Sequence, residues 1–552
     1  MTINAFRAQD IRAAENVVLD NTPPGALMLQ AAHGLGHAVL RELKRRRPKS
    51  TKSPSLAIGI GSRVERAKIS GAKAILLVGA GNNGGDVLHA GALLAGRGVQ
   101  VVALRLASDI HAAGWAALQR VGGTMRDGTE LAAEELREIF STADVVIDGI
   151  VGIGAQGPLR SPAAEVVTAL NDVRQDGERA AAAGVGASQL VATSAGEGPL
   201  VVAADIPSGI AVDDGTVPGP AVQADVTVTF GAWKPGLALP PAVTYAGAVE
   251  QIDLGLTEVL AQQGARPAVR RITRADVARL WPIPKRDDHK YSRGVLGVVA
   301  GSVAYPGAAV LTVAGAFEAG VGMLRYLGPM RSRDLVLAHR PEVVAGGGKC
   351  QAWVLGPGVA PDDTDQTMSI TRIIETCADD GTPCVVDAGG LDFVPGHVEQ
   401  NIVLTPHAGE LVRLLEERGE KIEIHTVEAD PGRWALRAAE LTGATVLLKG
   451  NTTVVARPGG TLITQVSAPS WLATAGAGDV LSGMLGALLA SSADAIAADS
   501  DVMAELAATA SLVHAKAAAR ASGGGPVTAL AVSNAVPAAV REILVEPGTI
   551  SS

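Results

Sequence analysis

A chain of 552 residues is long enough for two or more domains, and its net charge of −9 argues against nucleic acid or an anionic membrane as a partner. Its residues are 47% hydrophobic but only 3% aromatic, so its cores must be built from Ala, Val, Leu and Ile, as in α/β proteins. Cys350, Cys377 and Cys384 lack metal-ligand spacing and cannot all pair, which suits a reducing cytoplasm, and the N-terminus has no apolar signal core.

In chain order, Lys44 to Arg47 reads as a solvated helix end stopped by Pro48, and 49–72 as an insertion. His33 and His37 have the helical spacing of a metal pair but no third ligand, and are read as an ordinary helix face. Ala74–Val78 is a buried strand, Val87–Gly96 a helix and Val99–Leu104 the next strand. Strands follow at Asp144–Asp148, Leu200–Ala204 and Val226–Phe230, with a soft Ala/Gly/Ser segment at 176–198. Strands alternating with helices predict a parallel sheet covered on both faces. The pattern fades over 255–274, the expected linker between domains at 1–254 and 275–545. Beyond it, strands are expected at Val295–Ala300, Ala352–Leu355, Val385–Asp387, Ile402–Thr405 and Thr445–Leu448. An Ala-rich helix runs from Val480, and 546–552 forms a tail. The uncharged run Gly294–Phe317 is long enough to suggest a membrane span, but its Pro306-Gly307 break reads as strand, loop and helix start.

Several of these strands end in glycines and polar side chains. Gly79-Ala80-Gly81-Asn82-Asn83-Gly84-Gly85-Asp86 follows a strand and opens a helix, the context of a phosphate cradle. The next strand ends in Arg105, not the acid that a dehydrogenase uses for ribose, and amide oxygens beside a carboxylate suit a monovalent cation or a polar ligand. Asp148 precedes Gly152-Ile153-Gly154-Ala155-Gln156-Gly157-Pro158, and another strand ends in Asp205-Ile206-Pro207-Ser208-Gly209. In the second half, Lys449-Gly450-Asn451-Thr452-Thr453 offers a cation, backbone donors and hydroxyls to phosphate or ribose; alone it would read as a hairpin turn. Thr405-Pro406-His407-Ala408-Gly409-Glu410 places a His where it can meet a polar ligand or cap a helix. In Thr474-Ala475-Gly476-Ala477-Gly478-Asp479, two glycines bring backbone close to an anion at a helix start. Asp479 would oppose a bound phosphate unless it takes a proton from the hydroxyl that meets it. His514 reads as a structural residue of an Ala-rich helix.

GNNGGD, DGIVGIGAQGPLR, DIPSG and TFGAWKPG resemble the NAD(P)H-hydrate epimerase domain over most of residues 1–254. AGSVAYPGAA, LGPGV, TPHAGE, KGNTT and AGAGD resemble the ADP/ATP-dependent NAD(P)H-hydrate dehydratase domain over about 275–545. The resemblance implies a Rossmann-like three-layer domain followed by a ribokinase-like α/β domain. It implies that Asn82 to Asp86, Gly152 to Pro158 and Asp205 contact the hydrated nucleotide, with Asp205 as acid/base and Lys234 as a possible partner. It also implies potassium held by Asn83, Asp148 and Ser208. In the second domain it implies Ala309, Gly358, His407 and Asp479 on the hydrate, and Lys449 to Thr453 and Gly478 on the adenine nucleotide. ADP or ATP as co-substrate, magnesium with it, and a homo-oligomer are implied as well. The chain departs from the usual pattern at Val87, at Gly149 and near Gly389, where a second acidic residue is more usual. Two other readings fit the same motifs: a small-alcohol kinase fused to a nucleotide-binding module, and a nucleotide sensor without catalysis.

Overall fold

The computed structural model describes residues 2–46, 69–154, 156–184, 198–398 and 401–545, with 177–184 as backbone only. Ala155, the tail 546–552 and most of the expected insertions at 49–72 and 176–198 lie outside the described residues. The chain forms two compact units: residues 5–237 with 241–266, and residues 2–4 with 238–240 and the described residues from Pro267 onward. The segment 255–274 carries a helix, Leu256–Gln262, and a strand, Val269–Arg271.

The first unit holds a seven-stranded sheet. Its order is Thr124–Asp127, Gln100–Arg105, Lys73–Val78, Val145–Gly149, Leu200–Ala204, Val226–Phe230 and Ala248–Ile252, and every neighbouring pair is parallel. Val145–Gly149, Leu200–Ala204 and Val226–Phe230 are buried along their whole length, as expected of strands covered by helices on both faces. Strand order reverses between Lys73–Val78 and Val145–Gly149, and such a switch opens a crevice at the C-terminal strand ends. The helix after the first of these strands starts at Asn82, earlier than its sequence suggests. Asn and Gly are poor helix formers, but close packing favours them here. A side chain at Gly84 would run into the Gly79 carbonyl, and one at Gly91 would meet Leu76.

The second unit holds an eleven-stranded sheet. Thr445–Leu448, Ile402–Leu404, Cys384–Val386, Ala352–Leu355, Val295–Val299 and Met323–Leu327 run parallel. Val454–Ala456 turns back antiparallel, so Lys449 to Thr453 forms a hairpin connection. Residues 2–4 belong to this unit: the strand Ile3–Ala5 takes the edge of its sheet beside Val269–Arg271, and Thr2 Oγ1 donates to Asp276 at 2.5 Å. The run Gly294–Phe317 resolves into the strand Val295–Val299, a loop and the helix Pro306–Glu318. No helix among the described residues is long and apolar enough to cross a membrane.

The helices Pro306–Glu318 and Ala477–Ser491 meet along glycines. A Cβ at Gly483 would overlap the Thr312 carbonyl, and one at Gly315 the Val480 carbonyl. This backbone-to-backbone approach fixes the helix whose first turn carries Asp479.

Candidate active sites

In the first unit, Asp148 ends a central strand and is wholly buried. The Ser208 N–H and Oγ each donate to it at 2.7 Å, and the Ile150 N–H at 3.1 Å. Burial raises its pKa to about 6 against these hydrogen bonds. Asn83 Nδ2 donates to the Val151 carbonyl at 2.8 Å, while its Oδ1 is buried without a partner. The Val151 N–H donates to Ser208 Oγ, which ties Asn83, Asp148 and Ser208 into one locus. An orphaned amide oxygen beside a buried carboxylate is an oxygen set that fits a hard cation.

Asp205 follows the strand Leu200–Ala204 and holds φ at 65°, a left-handed conformation uncommon for a residue with a side chain. Its Oδ1 accepts from the Phe230 N–H at 3.0 Å and from Lys234 Nζ. Lys234 is only 1% exposed and also donates to Thr229 Oγ1 and the Phe230 carbonyl. The possible partner is therefore in place as a buried ion pair. Asp86 has no hydrogen bond or ion pair among the described residues, and burial, then Asp205 and Glu15, push its pKa well above the usual range. Asn82 and Asp86 line a cavity of about 540 Å³ with Glu15 and Phe230. The loop carrying Gly152, Ile153, Gly154, Gln156, Gly157 and Pro158 does not line that cavity; it meets the helix Ala8–Asp20 through Arg12, which donates to the Ile153 carbonyl at 2.9 Å.

In the second unit, three adjacent strand ends deliver Asp387, His407 and Lys449 to one cavity of about 730 Å³. Lys449 Nζ lies 2.7 Å from Asp387 and 3.5 Å from Glu410. Burial works against its charge, but the two carboxylates outweigh burial and raise its pKa. The second oxygen of Asp387 accepts from Ser482 Oγ at 2.6 Å. His407 caps the helix Ala408–Glu416: its Nδ1 accepts from the Gly409 and Glu410 N–H groups, and the Glu410 carboxylate accepts from the His407 N–H at 2.8 Å. The capping role and the place on the cavity wall coexist.

Asp479 lies in the first turn of the helix Ala477–Ser491, which no side chain caps. Gly476 precedes that turn with φ at 86°. Burial, with the negative charge of Asp387, raises the Asp479 pKa to about 7 despite Lys449. Gly450, Asn451, Thr453 and Gly478 line the same cavity. Thr452 is buried and shares a hydrogen bond with Ser467, while Ala309 and Gly358 lie outside the cavity lining. Gly358 holds φ at 65° and sits against Tyr305 and Ala308 at the start of the helix that carries Ala309.

The sequence reading missed two features. His514 lines the large cavity with its Nε2 unpartnered, and burial lowers its pKa to about 4. A lone His in an Ala-rich helix gives no local sign of this. Glu15 and Arg12 also escaped notice, because charges on an amphipathic helix read as a solvated face.

Residues 24–236 match the family described as YjeF-related protein N-terminus, and residues 296–535 match NAD(P)H-hydrate dehydratase. The bifunctional NAD(P)H-hydrate repair enzyme Nnr of Mycobacterium leprae is 39% identical over 534 residues, covering 94% of each chain. The chain belongs to the bifunctional NAD(P)H-hydrate repair enzyme family. The enzyme of that name in Mycobacterium tuberculosis is 38% identical over 506 residues, with 88% of this chain and 89% of that one covered. That of Corynebacterium glutamicum is 30% identical, with 98% of each covered. Both family matches contain the residues gathered at strand ends, so the family's two modules coincide with the two sites.

Proposed function

We propose that this chain restores hydrated NADH and NADPH in two steps: the first unit interconverts the R and S hydrates, and the second removes water from the S form at the expense of ADP or ATP. The observation that carries this reading is Asp479, a carboxyl titrating near 7 at an uncapped helix start, beside Lys449 and open to a nucleotide-sized cavity.

Hydroxide is a poor leaving group, so elimination needs the C6 oxygen made into a better one. Asp479 takes the proton of the C6 hydroxyl, and that oxygen attacks the terminal phosphoryl group of the nucleotide. The N–H groups around Gly476 to Gly478 and the charge of Lys449 stabilise the transferring phosphoryl. Loss of phosphate then re-forms the ring double bond. His407 would orient the hydrate, and Lys449 to Thr453 would hold the nucleotide. Magnesium is expected to accompany the nucleotide's phosphates.

In the first unit, the C6 oxygen leaves with help from the ring nitrogen's lone pair and returns on the other face, with Asp205 as acid/base. Asn83, Asp148 and Ser208 would hold potassium, and the unpaired Asn83 Oδ1 supports that assignment. A bound potassium ion would supply positive charge near the nucleotide and fix the loop between Asp148 and Pro158.

The test is recovery of the near-ultraviolet absorbance of dihydronicotinamide from mixed R/S hydrate with ADP or ATP, Mg²⁺ and K⁺. Full recovery is expected. Accumulation of a phosphorylated product without recovery would instead point to a small-alcohol kinase.

A further inference from the structure

The matched epimerase region begins at residue 24, so the helix Ala8–Asp20 lies before it. Two side chains one turn apart on this helix reach the first site. Arg12 donates to the Ile153 carbonyl in the glycine loop. Glu15 lines the cavity of about 540 Å³ together with Asn82, Asp86 and Phe230, and Phe230 is the residue whose N–H binds Asp205.

Among the described residues, Glu15 has no hydrogen bond or ion pair to occupy it. Asp86, 7% exposed, has none either among the described residues, and the two carboxyls share the wall of one cavity. Burial, partly offset by Lys234, leaves the Glu15 pKa raised. Asp205, by contrast, has a cation bound to it. Carboxyls held in such different surroundings take different roles, one giving a proton while another receives one.

We propose that Glu15 is a second acid–base residue of the epimerisation site, working with Asp205 from a separate element of the fold. This rests on the epimerase reading above. The Glu15 carboxyl gives its proton to the C6 hydroxyl. The C6–O bond breaks, its electron pair leaving with water, and the N1 lone pair forms a C6=N1 double bond. Water then adds to the other face of C6, the C6=N1 pair returns to N1, and the Asp205 carboxylate takes the proton released by the adding water. After each turnover Glu15 regains a proton from solvent and Asp205 returns one to it, and reaction in the opposite direction exchanges the two roles, so nothing is oxidised or reduced and protons balance.

The experiment uses the full chain with E15Q and E15D, and measures kcat and KM for interconversion of the hydrates. Dehydration of pure S hydrate in the same preparations reports intact protein. E15Q is expected to lower epimerisation kcat by about 100-fold or more with KM nearly unchanged. E15D, keeping the acid, should recover part of the loss. Wild-type epimerisation by E15Q would overturn the proposal, as would a change confined to KM, or an E15D no better than E15Q. Absence of epimerisation in the wild-type chain would overturn the epimerase reading instead.

Discussion

A carboxyl titrating at about 7 ties the proposed dehydration step to neutral pH. Asp479 must be ionised to accept the hydroxyl proton, so the dehydration rate should fall as pH drops through about 7 and level off above it. A pH series on S hydrate checks this, and D479N should lose about 100-fold or more above pH 7, with a smaller gap at lower pH, while leaving epimerisation intact. K234M removes the cation from the buried Asp205 carboxylate. It should abolish epimerisation and destabilise the first unit by about 3–5 kcal/mol, the cost of breaking a buried pair, measurable by denaturant unfolding. The residues legible in sequence were those in short glycine-rich runs, because backbone approach to an anion leaves a local mark. The Lys449–Asp387 pair was not legible, and Lys234 was only a possible partner of Asp205. Lys234 reaches Asp205, and Lys449 reaches Asp387, only because neighbouring strands end side by side.

Among elements, strands buried over most or all of their length were the most legible. Leu200–Ala204, Val226–Phe230, Ala352–Leu355 and Thr445–Leu448 have the bounds their apolar runs suggest. Two helices start earlier than their apolar runs suggest, at Asn82 and not Val87 and at Ala477 and not Val480, since glycines in a first turn look like loop. Their helical state comes from close tertiary packing. The glycine seam between Pro306–Glu318 and Ala477–Ser491 gives a test: G483A should cost about 1–3 kcal/mol from overpacking. The same change should weaken dehydration more than epimerisation, because it displaces the helix carrying Asp479. Thermal unfolding and the two separate assays distinguish these effects.

At the scale of the whole chain, two sheets with separate sites predict separable chemistry. D205N and D479N proteins, each unable to repair both hydrates alone, should do so when mixed, because the hydrate can pass between molecules through solution. Replacing K⁺ with Li⁺ should slow epimerisation and spare dehydration, which the two assays read directly. The division into two α/β domains was legible from alternating strands and helices. That residues 2–4 join the second unit was not, because nothing local marks a three-residue edge strand.

That short edge strand also sets an order of events during synthesis. Residues 2–4 leave the ribosome before the first unit, yet the sheet edge they join, beside Val269–Arg271, is made only after it. The opening residues must therefore wait, uncommitted, while the unit that follows them in sequence can already fold. A bulky extension fused just ahead of residue 2 would therefore burden the second unit more than the first.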